Sequence, residues 1–143
     1  MEMNETGGLF ARKPKETIRS FETIVLSISG MRGTQVYEAL MKSGKAEVTL
    51  YEMRYNSGRE TKEKLQQGTA QEEAFVKLLN DCGILSWDGF DGPHPKGVLD
   101  GRMFVFDAVV NDSQKIHATG SENFPKHFRE FEAGLNAILS GKN

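Results

Sequence analysis

The chain has 143 residues, with 27% charged side chains and a net charge of −2. It is long enough for one domain with a single core, and it has no excess of one charge that would attract nucleic acid or an anionic membrane. No apolar run in the first twenty residues has the length of a secretory signal, and no stretch approaches that of a membrane span. The single cysteine excludes a disulfide framework and fits a reducing compartment. We therefore expect a cytoplasmic protein of bacterial type, with nucleic acid disfavoured as a partner and no membrane partner.

The N-terminal residues 1–20 mix Asn, Gly, Lys, Pro and Glu without the periodicity of a helix or a strand. Such a composition is typical of a mobile arm that becomes ordered only on a partner. Leu9 and Phe10 are its only candidate anchors. The sequence therefore predicts a flexible arm over residues 1–20 and a single domain over residues 21–143.

Three strands are predicted at the start of the domain. Phe21–Met31 alternates apolar and polar residues, which indicates a half-buried strand. Gln35–Met41 and Glu47–Tyr55 flank a Gly-containing turn with β-branched and aromatic residues, as the arms of a hairpin do. The alternative for the first arm is a short helix over Val36–Lys42, which is rich in helix formers. The polar segment Asn56–Gly68 is either a long loop or an extra edge strand that Lys and Glu protect from pairing.

A first helix is predicted after this segment. Thr69 and Glu72 have the spacing of a capping box, in which both side chains satisfy free N–H groups at a helix start. The apolar residues that follow share one helical face: Phe75, Leu78, Leu79 and Cys82. Gly83 provides the left-handed residue at which such a helix ends.

The last third of the chain predicts a hairpin and a helix. The hairpin spans Val98–Gly120 around a turn at Asn111–Ser113. Pro125 is placed in the first turn of the final helix, where its missing N–H costs nothing. These elements predict an α+β domain: a mostly antiparallel sheet of about five strands with two helices on one face, in the order β-β-β-α-β-β-α.

The second half of the chain also carries a recognisable pattern. Its residues are Trp87-Asp88-Gly89-Phe90, Val98-Leu99-Asp100-Gly101, Phe104, Gly120-Ser121 and Asn123-Phe124-Pro125. This pattern resembles one in small bacterial proteins, mainly of clostridia and their relatives, and the resemblance covers roughly Phe75–Leu139. It implies an α+β domain of unassigned role, and no catalytic residue follows from it.

One short segment contains residue types that bind divalent cations: Asp88, Asp91, His94 and Asp100. All three aspartates are followed by glycine, as in Asx-type turns. Neither the 12-residue calcium loop nor a His-x-x-x-His pair is present. The sequence therefore indicates turns here, with no metal and no cofactor.

The predicted start of the last helix is a candidate anion site. Free N–H groups and the positive end of a helix dipole hold anions, and Lys126 and Arg129 would add charge. Ser and Asn at this place are also what plain capping requires, and the glutamate between them opposes an anion. A phosphate or nucleotide site at Gly120, Ser121, Asn123, Lys126 and Arg129 is therefore the alternative function, with an anionic small molecule as the partner.

Catalysis is disfavoured by the spacing of the reactive residues. Cys82 lies on the apolar face of its helix, which favours a buried and inert thiol. An enzyme would need residues that converge only in space, such as Asp88, His94 and His117. The sequence therefore predicts no catalytic residue and favours a function other than that of an enzyme.

The second face of the predicted sheet carries the main functional prediction. If Ile24, Leu26, Val48, Leu50, Phe104 and Phe106 meet the helices, alternation sends a second apolar set to the opposite face. That set is Val25, Tyr37, Met41, Tyr51, Met53, Tyr55, Met103, Val105 and Val109. Large apolar patches usually mark interaction surfaces, in which Tyr and Met are enriched.

We therefore predict a non-enzymatic interaction or regulatory module that binds a second copy of itself, as a homodimer, or another protein. The predicted contact residues are Tyr37, Tyr51, Met53, Tyr55, Met103 and Val105. A variant of this hypothesis is a small inhibitor from a mobile element. The alternative is that Asn56–Gly68 or the N-terminal arm folds over the apolar face.

Overall fold

The structure is a computed structural model that describes residues 16–31, 33–98 and 101–141. Its elements follow one another along the chain as β1 (Phe21–Gly30), β2 (Gly33–Lys42), β3 (Lys45–Asn56), β4 (Arg59–Gln71), α1 (Glu72–Asp81), a 3-10 turn (Ile84–Trp87), β5 (Asp91–Gly92), β6 (Met103–Val110), β7 (Gln114–Ser121) and α2 (Phe128–Leu139).

Within the described residues, seven strands form one sheet in the order β4-β3-β2-β1-β6-β7-β5. The sheet is mixed, because β5 runs parallel to β7 while the other neighbours are antiparallel. The fold is α+β, but the prediction of about five mostly antiparallel strands in the order β-β-β-α-β-β-α was wrong. The segment Asn56–Gly68 contributes to the edge strand β4, whose side chains are mostly exposed on both faces. β5 has two residues and forms only through its pairing with β7.

The first predicted hairpin is confirmed, and the second is confirmed from Met103 onwards, five residues after its predicted start. β2 and β3 pair from Thr34 with Met53 to Lys42 with Lys45, so the segment that favours a short helix is a strand. Cross-strand pairing of its β-branched and aromatic residues outweighs the local helix propensity. β6 and β7 join through Asn111 and Asp112, both in the left-handed region that Asn and Asp tolerate best after glycine.

The first helix begins later than a capping box requires. Thr69 still belongs to β4, which pairs with β3 as far as Gln71, so that prediction was wrong. Gln71 is the N-cap of α1, and no side chain among the described residues caps the helix there. The predicted apolar face is confirmed, because Phe75, Leu79 and Cys82 are buried. Gly83 is left-handed, with a φ of 65°, as the end of the helix requires.

The final helix also begins later than predicted. It starts at Phe128, with His127 as N-cap, so Pro125 is not in its first turn. The residues between β7 and α2 serve packing instead, since they place the ring of Phe124 at 5.5 Å from that of Phe104 and 4.7 Å from that of Phe128. Aromatic contacts of this kind stabilise a core beyond the area that they bury.

Both described helices pack on the same face of the sheet and share one hydrophobic core with it. The six strand residues predicted to meet the helices are all buried: Ile24, Leu26, Val48, Leu50, Phe104 and Phe106. At one end of this core the buried ring of Trp87 lies against Phe106 at 5.0 Å and Phe131 at 5.6 Å. The helices therefore leave the other face of the sheet uncovered by helical structure.

The described chain begins at residue 16, inside the predicted arm. Ile18 is buried, and the side-chain amide of Asn80 bonds both its N–H (2.8 Å) and its carbonyl (2.9 Å). Residues 16–20 thus pack on the domain, while residues 1–15, with Leu9 and Phe10, lie outside the described residues. None of the described helices is long and apolar enough to cross a bilayer.

Candidate interaction surface

The face of the sheet opposite the helices, called the open face below, is built from rows of paired residues. The strand register places one row of neighbours across six strands: Lys62, Met53, Thr34, Ser29, Met103 and Ser121. The adjacent row is Lys64, Tyr51, Val36, Ser27, Val105 and Thr119. In the five neighbouring strands β3, β2, β1, β6 and β7, these two rows contain ten residues, none of which has a charged side chain. We call these ten residues the uncharged patch.

The open face exposes several large apolar side chains. Their exposed fractions are 74% for Tyr55, 53% for Met103, 42% for Val105 and 40% for Leu40. Tyr51 and Met53 are half-buried by their neighbours on the sheet. Single exposed apolar side chains such as Tyr55 and Leu40 are ordinary on proteins, whereas Met103 and Val105 lie together within the uncharged patch, as in an interaction surface.

Charged residues on the open face are largely paired within the chain. The ammonium group of Lys62 bonds the carboxylate of Glu38 at 2.9 Å and lies 4.2 Å from the centre of the Tyr51 ring. Its pKa is raised, chiefly by the hydrogen bond to Glu38. On β6 and β7, Asp107 and His117 meet at 2.6 Å. These pairs flank the uncharged patch, and each keeps its carboxylate hydrogen-bonded within the chain.

Tyr37 is not on the open face, and neither is Met41, so these two predictions were wrong. The hairpin register pairs Tyr37 with Leu50 and Met41 with Ala46, which both belong to the core face. The buried Tyr37 hydroxyl donates to the Asn136 side chain of α2 at 3.0 Å. Burial, with a smaller effect of Glu132, raises the pKa of this phenol.

The remaining predicted contact residues, Tyr51, Met53, Tyr55, Met103 and Val105, lie on the open face, and their role in binding stays a prediction. Leu40 and Val36 share that face and were missed. Side chains along a strand alternate between the two faces of the sheet. Val36 and Leu40 are one and three residues from the core residue Tyr37, so alternation along β2 places both on the open face. Asn56–Gly68 does not cover the face, because β4 extends the sheet at its edge.

The predicted anion site is divided by the fold. Gly120 and Ser121 end β7, whereas α2 begins only at Phe128 with His127 as N-cap, so these two residues are not part of the helix start. The Asn123 side chain donates to the Pro93 carbonyl at 3.3 Å, and the Lys126 carbonyl accepts the indole N–H of Trp87 at 3.1 Å. The helix terminus that suggested this site therefore does not include Gly120, Ser121 or Asn123.

The three residues considered for catalysis do not converge. The carboxylate of Asp88 accepts the backbone N–H of His117 at 3.0 Å. His94 instead contacts Ser121, which is four residues from His117 along β7, or about 13 Å in a strand. Asp91 accepts a long bond of 3.4 Å from Thr119, and Asp100 lies outside the described residues.

Cys82 is expected to be chemically inert in the folded protein. It is buried, and this burial raises the pKa of its thiol to about 11. At about pH 8, only about one thiol in a thousand is then ionised. A chromogenic disulfide reagent should label the unfolded protein at once and the native protein only at the rate of unfolding.

The raised pKa of Cys82 also determines how the stability of the protein depends on pH. Because the unfolded thiol loses its proton at a lower pH than the folded thiol, stability should fall as the pH rises through about 9 and beyond. Cys82→Ala should lack this component of the alkaline decrease in unfolding free energy. Rapid labelling of the native protein would contradict the burial of Cys82.

No protein-family model, no curated protein and no solved structure matches the chain. The resemblance of its second half to small bacterial proteins therefore stays a prediction. The function has to be inferred from the chemistry of the surfaces of this chain.

Proposed function

We propose that the protein is an interaction module that forms a homodimer by packing two open faces against each other. The observation that carries the proposal is the uncharged patch, in which Met103 and Val105 of β6 are exposed and share two rows with Met53 and Tyr51 of β3, three strand spacings away. The core of a protein interface is depleted of charged residues, as this patch is.

The dimensions of the open face suit a stable dimer. The six long strands, spaced by about 4.8 Å, span about 24 Å, and eight residues span about 26 Å along a strand. The resulting area of roughly 620 Å² lies at the lower end of the roughly 600–1,000 Å² that each partner buries in an interface of standard size. Two such sheets would pack about 10 Å apart with their side chains interdigitated.

The charge pattern favours a second copy of the chain over a strongly charged partner. An open face with an excess of one sign would repel its own copy. Here Glu38 is paired with Lys62, and Asp107 with His117, within one chain. Two identical faces can therefore approach without an unpaired like charge at Glu38 and Lys62, and Asp107 is paired in the same way when His117 is protonated.

Exchanging two central apolar residues for glutamate should abolish the dimer. Met53→Glu with Val105→Glu would place four carboxylates in the proposed interface, each with a desolvation cost of several kcal/mol. The dissociation constant should rise at least about 100-fold. Size-exclusion chromatography with light scattering should give twice the chain mass of 16.0 kDa for the wild type and 16.0 kDa for the variant.

The control variant is Met31→Glu, because Met31 is 87% exposed in the turn between β1 and β2 and does not belong to the open face. It should remain dimeric. Circular dichroism should show that all three proteins are folded. A monomeric wild type at about 100 μM, far above the dissociation constant of a stable dimer, would overturn the proposal. A double variant that stays dimeric would equally exclude the open face as the interface.

A further inference from the structure

Ser121 and His94 form a side-chain pair that no local sequence pattern indicates. The Ser121 hydroxyl oxygen lies 2.8 Å from Nδ1 of His94, although the residues are 27 positions apart. Ser121 ends β7, and the loop after β5 carries His94. The parallel pairing of Gly92 with Gly120 starts this loop beside the end of β7. Only the folded sheet therefore brings the two side chains together.

The surroundings of His94 determine which ring nitrogen carries the proton. Nε2 of His94 contacts the backbone carbonyl oxygen of Val98, which can only accept a hydrogen bond. In the neutral ring Nε2 must therefore hold the proton and donate it to Val98. Nδ1 then has a free lone pair, so the hydroxyl of Ser121 donates to it. This arrangement joins a nucleophile, a base and a third group that orients the base.

A depression of about 370 Å³ lies at this pair, within the range of small-molecule sites. Ser121 and His94 line it, together with the hydroxyl-bearing Ser27, Ser29 and Thr119 and the apolar side chain of Val105. Ser29 bonds Thr34 and Thr119 donates to the carboxylate of Asp91, which also lines the depression, so of these three hydroxyl groups that of Ser27 is left to donate to an acyl oxygen. The apolar wall can contact a short carbon chain. The site therefore combines a nucleophile with room for a small ester.

The depression lies on the open face, and six of its lining residues belong to the uncharged patch, so the proposed dimer would cover it and only the monomer leaves it open. We infer that Ser121 is the nucleophile of an esterase activity of the monomer towards small carboxylic esters, with His94 as its general base. The Ser121 oxygen attacks the ester carbonyl carbon while Nδ1 of His94 takes the hydroxyl proton. The bond to the leaving alkoxide breaks, and His94 returns that proton to it as the alcohol departs. Water then attacks the acyl-serine, again losing a proton to His94, and the acid leaves as Ser121 regains its proton.

The test uses the full chain, diluted to a concentration at which it is monomeric, with p-nitrophenyl acetate and, separately, a fluorophosphonate that labels activated serines. The wild type should release p-nitrophenol continuously and should take up one fluorophosphonate, which peptide mapping should locate at Ser121. Ser121→Ala should remove the label and lower the rate at least about 100-fold. His94→Ala should lower both rates by about the same factor, since a positioned base contributes about 100-fold or more.

Two matched variants separate this site from other reactive groups on the surface. His117→Ala removes an exposed histidine of β7, and Ser140→Ala removes a serine just after the end of α2. Both should keep the wild-type rate and label. Hydrolysis that persists in Ser121→Ala, labelling at another residue, or no wild-type rate above that of buffer would each overturn the inference. Circular dichroism should establish that every variant is folded before its rates are compared.

Discussion

Replacing Trp87 with alanine is expected to destabilise the protein by about 3–5 kcal/mol, the usual cost of deleting a large buried aromatic side chain. The ring of Trp87 is enclosed by Phe106, Phe128 and Phe131, with centroid distances of 5.0, 5.7 and 5.6 Å. Its indole N–H also donates to the Lys126 carbonyl at 3.1 Å. The alanine variant loses these contacts together, since they link the sheet, α2 and the segment before α2.

The loss should be measured by urea denaturation followed by far-UV circular dichroism, because Trp87 is the only tryptophan and its fluorescence disappears with the substitution. The matched variant is Trp87→Phe, which keeps an aromatic ring in the core and removes the hydrogen bond. It should lose less than half as much free energy as Trp87→Ala. A loss below about 1 kcal/mol for Trp87→Ala would contradict the central position of this ring.

The elements that the sequence predicts best are those whose own residues bury one face. β1 and α1 show a period of two and of 3.6 residues because their inner faces contact the core. β4 lacks such a signal, because most of its residues are exposed on both faces at the sheet edge. Nor can β5 be recognised locally, since its two residues are a strand only through their pairing with β7.

The open face was predictable in outline from alternation, but its membership depended on hairpin register. A shift of one residue in register moves every side chain of a strand to the other face. Alternation alone places Tyr37 on the open face, but its pairing with Leu50 places it in the core. The sequence indicates a Gly-containing turn between β2 and β3 but not which residues pair across it, so only the paired strands determine which residues of β2 face outward.

The pair of Ser121 and His94 was beyond sequence reasoning for a different reason. Nothing in the spacing of 27 residues indicates a contact. The contact depends on the parallel alignment of β5 with β7 and on the bond from Asn123 to the Pro93 carbonyl. Both are long-range interactions, and neither has a local sequence signal comparable to an amphipathic period.

Gly120→Ala is expected to destabilise the protein by about 1–3 kcal/mol or more, as overpacking in a closely packed interior does. A Cβ atom at Gly120 would lie 2.0 Å from the backbone oxygen of Asn123 and 2.6 Å from a ring carbon of Phe104. A backbone oxygen cannot rotate away as the end of a side chain can. The connection from β7 to α2 would therefore have to move, and with it the bond from Asn123 to Pro93.

The matched control for this substitution is Gly30→Ala at the end of β1. Gly30 has an ordinary φ, and a Cβ atom there would meet no described atom within 4 Å. Its unfolding free energy in urea should stay within about 0.5 kcal/mol of the wild type. Hydrogen exchange should localise the damage in Gly120→Ala, because the N–H of Thr119 donates to the Phe90 carbonyl at 3.0 Å next to β5.

Faster exchange of Thr119 together with a loss of stability would show that the close approach at Gly120 holds β5 against β7. Equal stability of the two alanine variants would instead mean that the segment after β7 adjusts at little cost. In that case the same segment would be too pliable to keep His94 in hydrogen-bonding distance of Ser121.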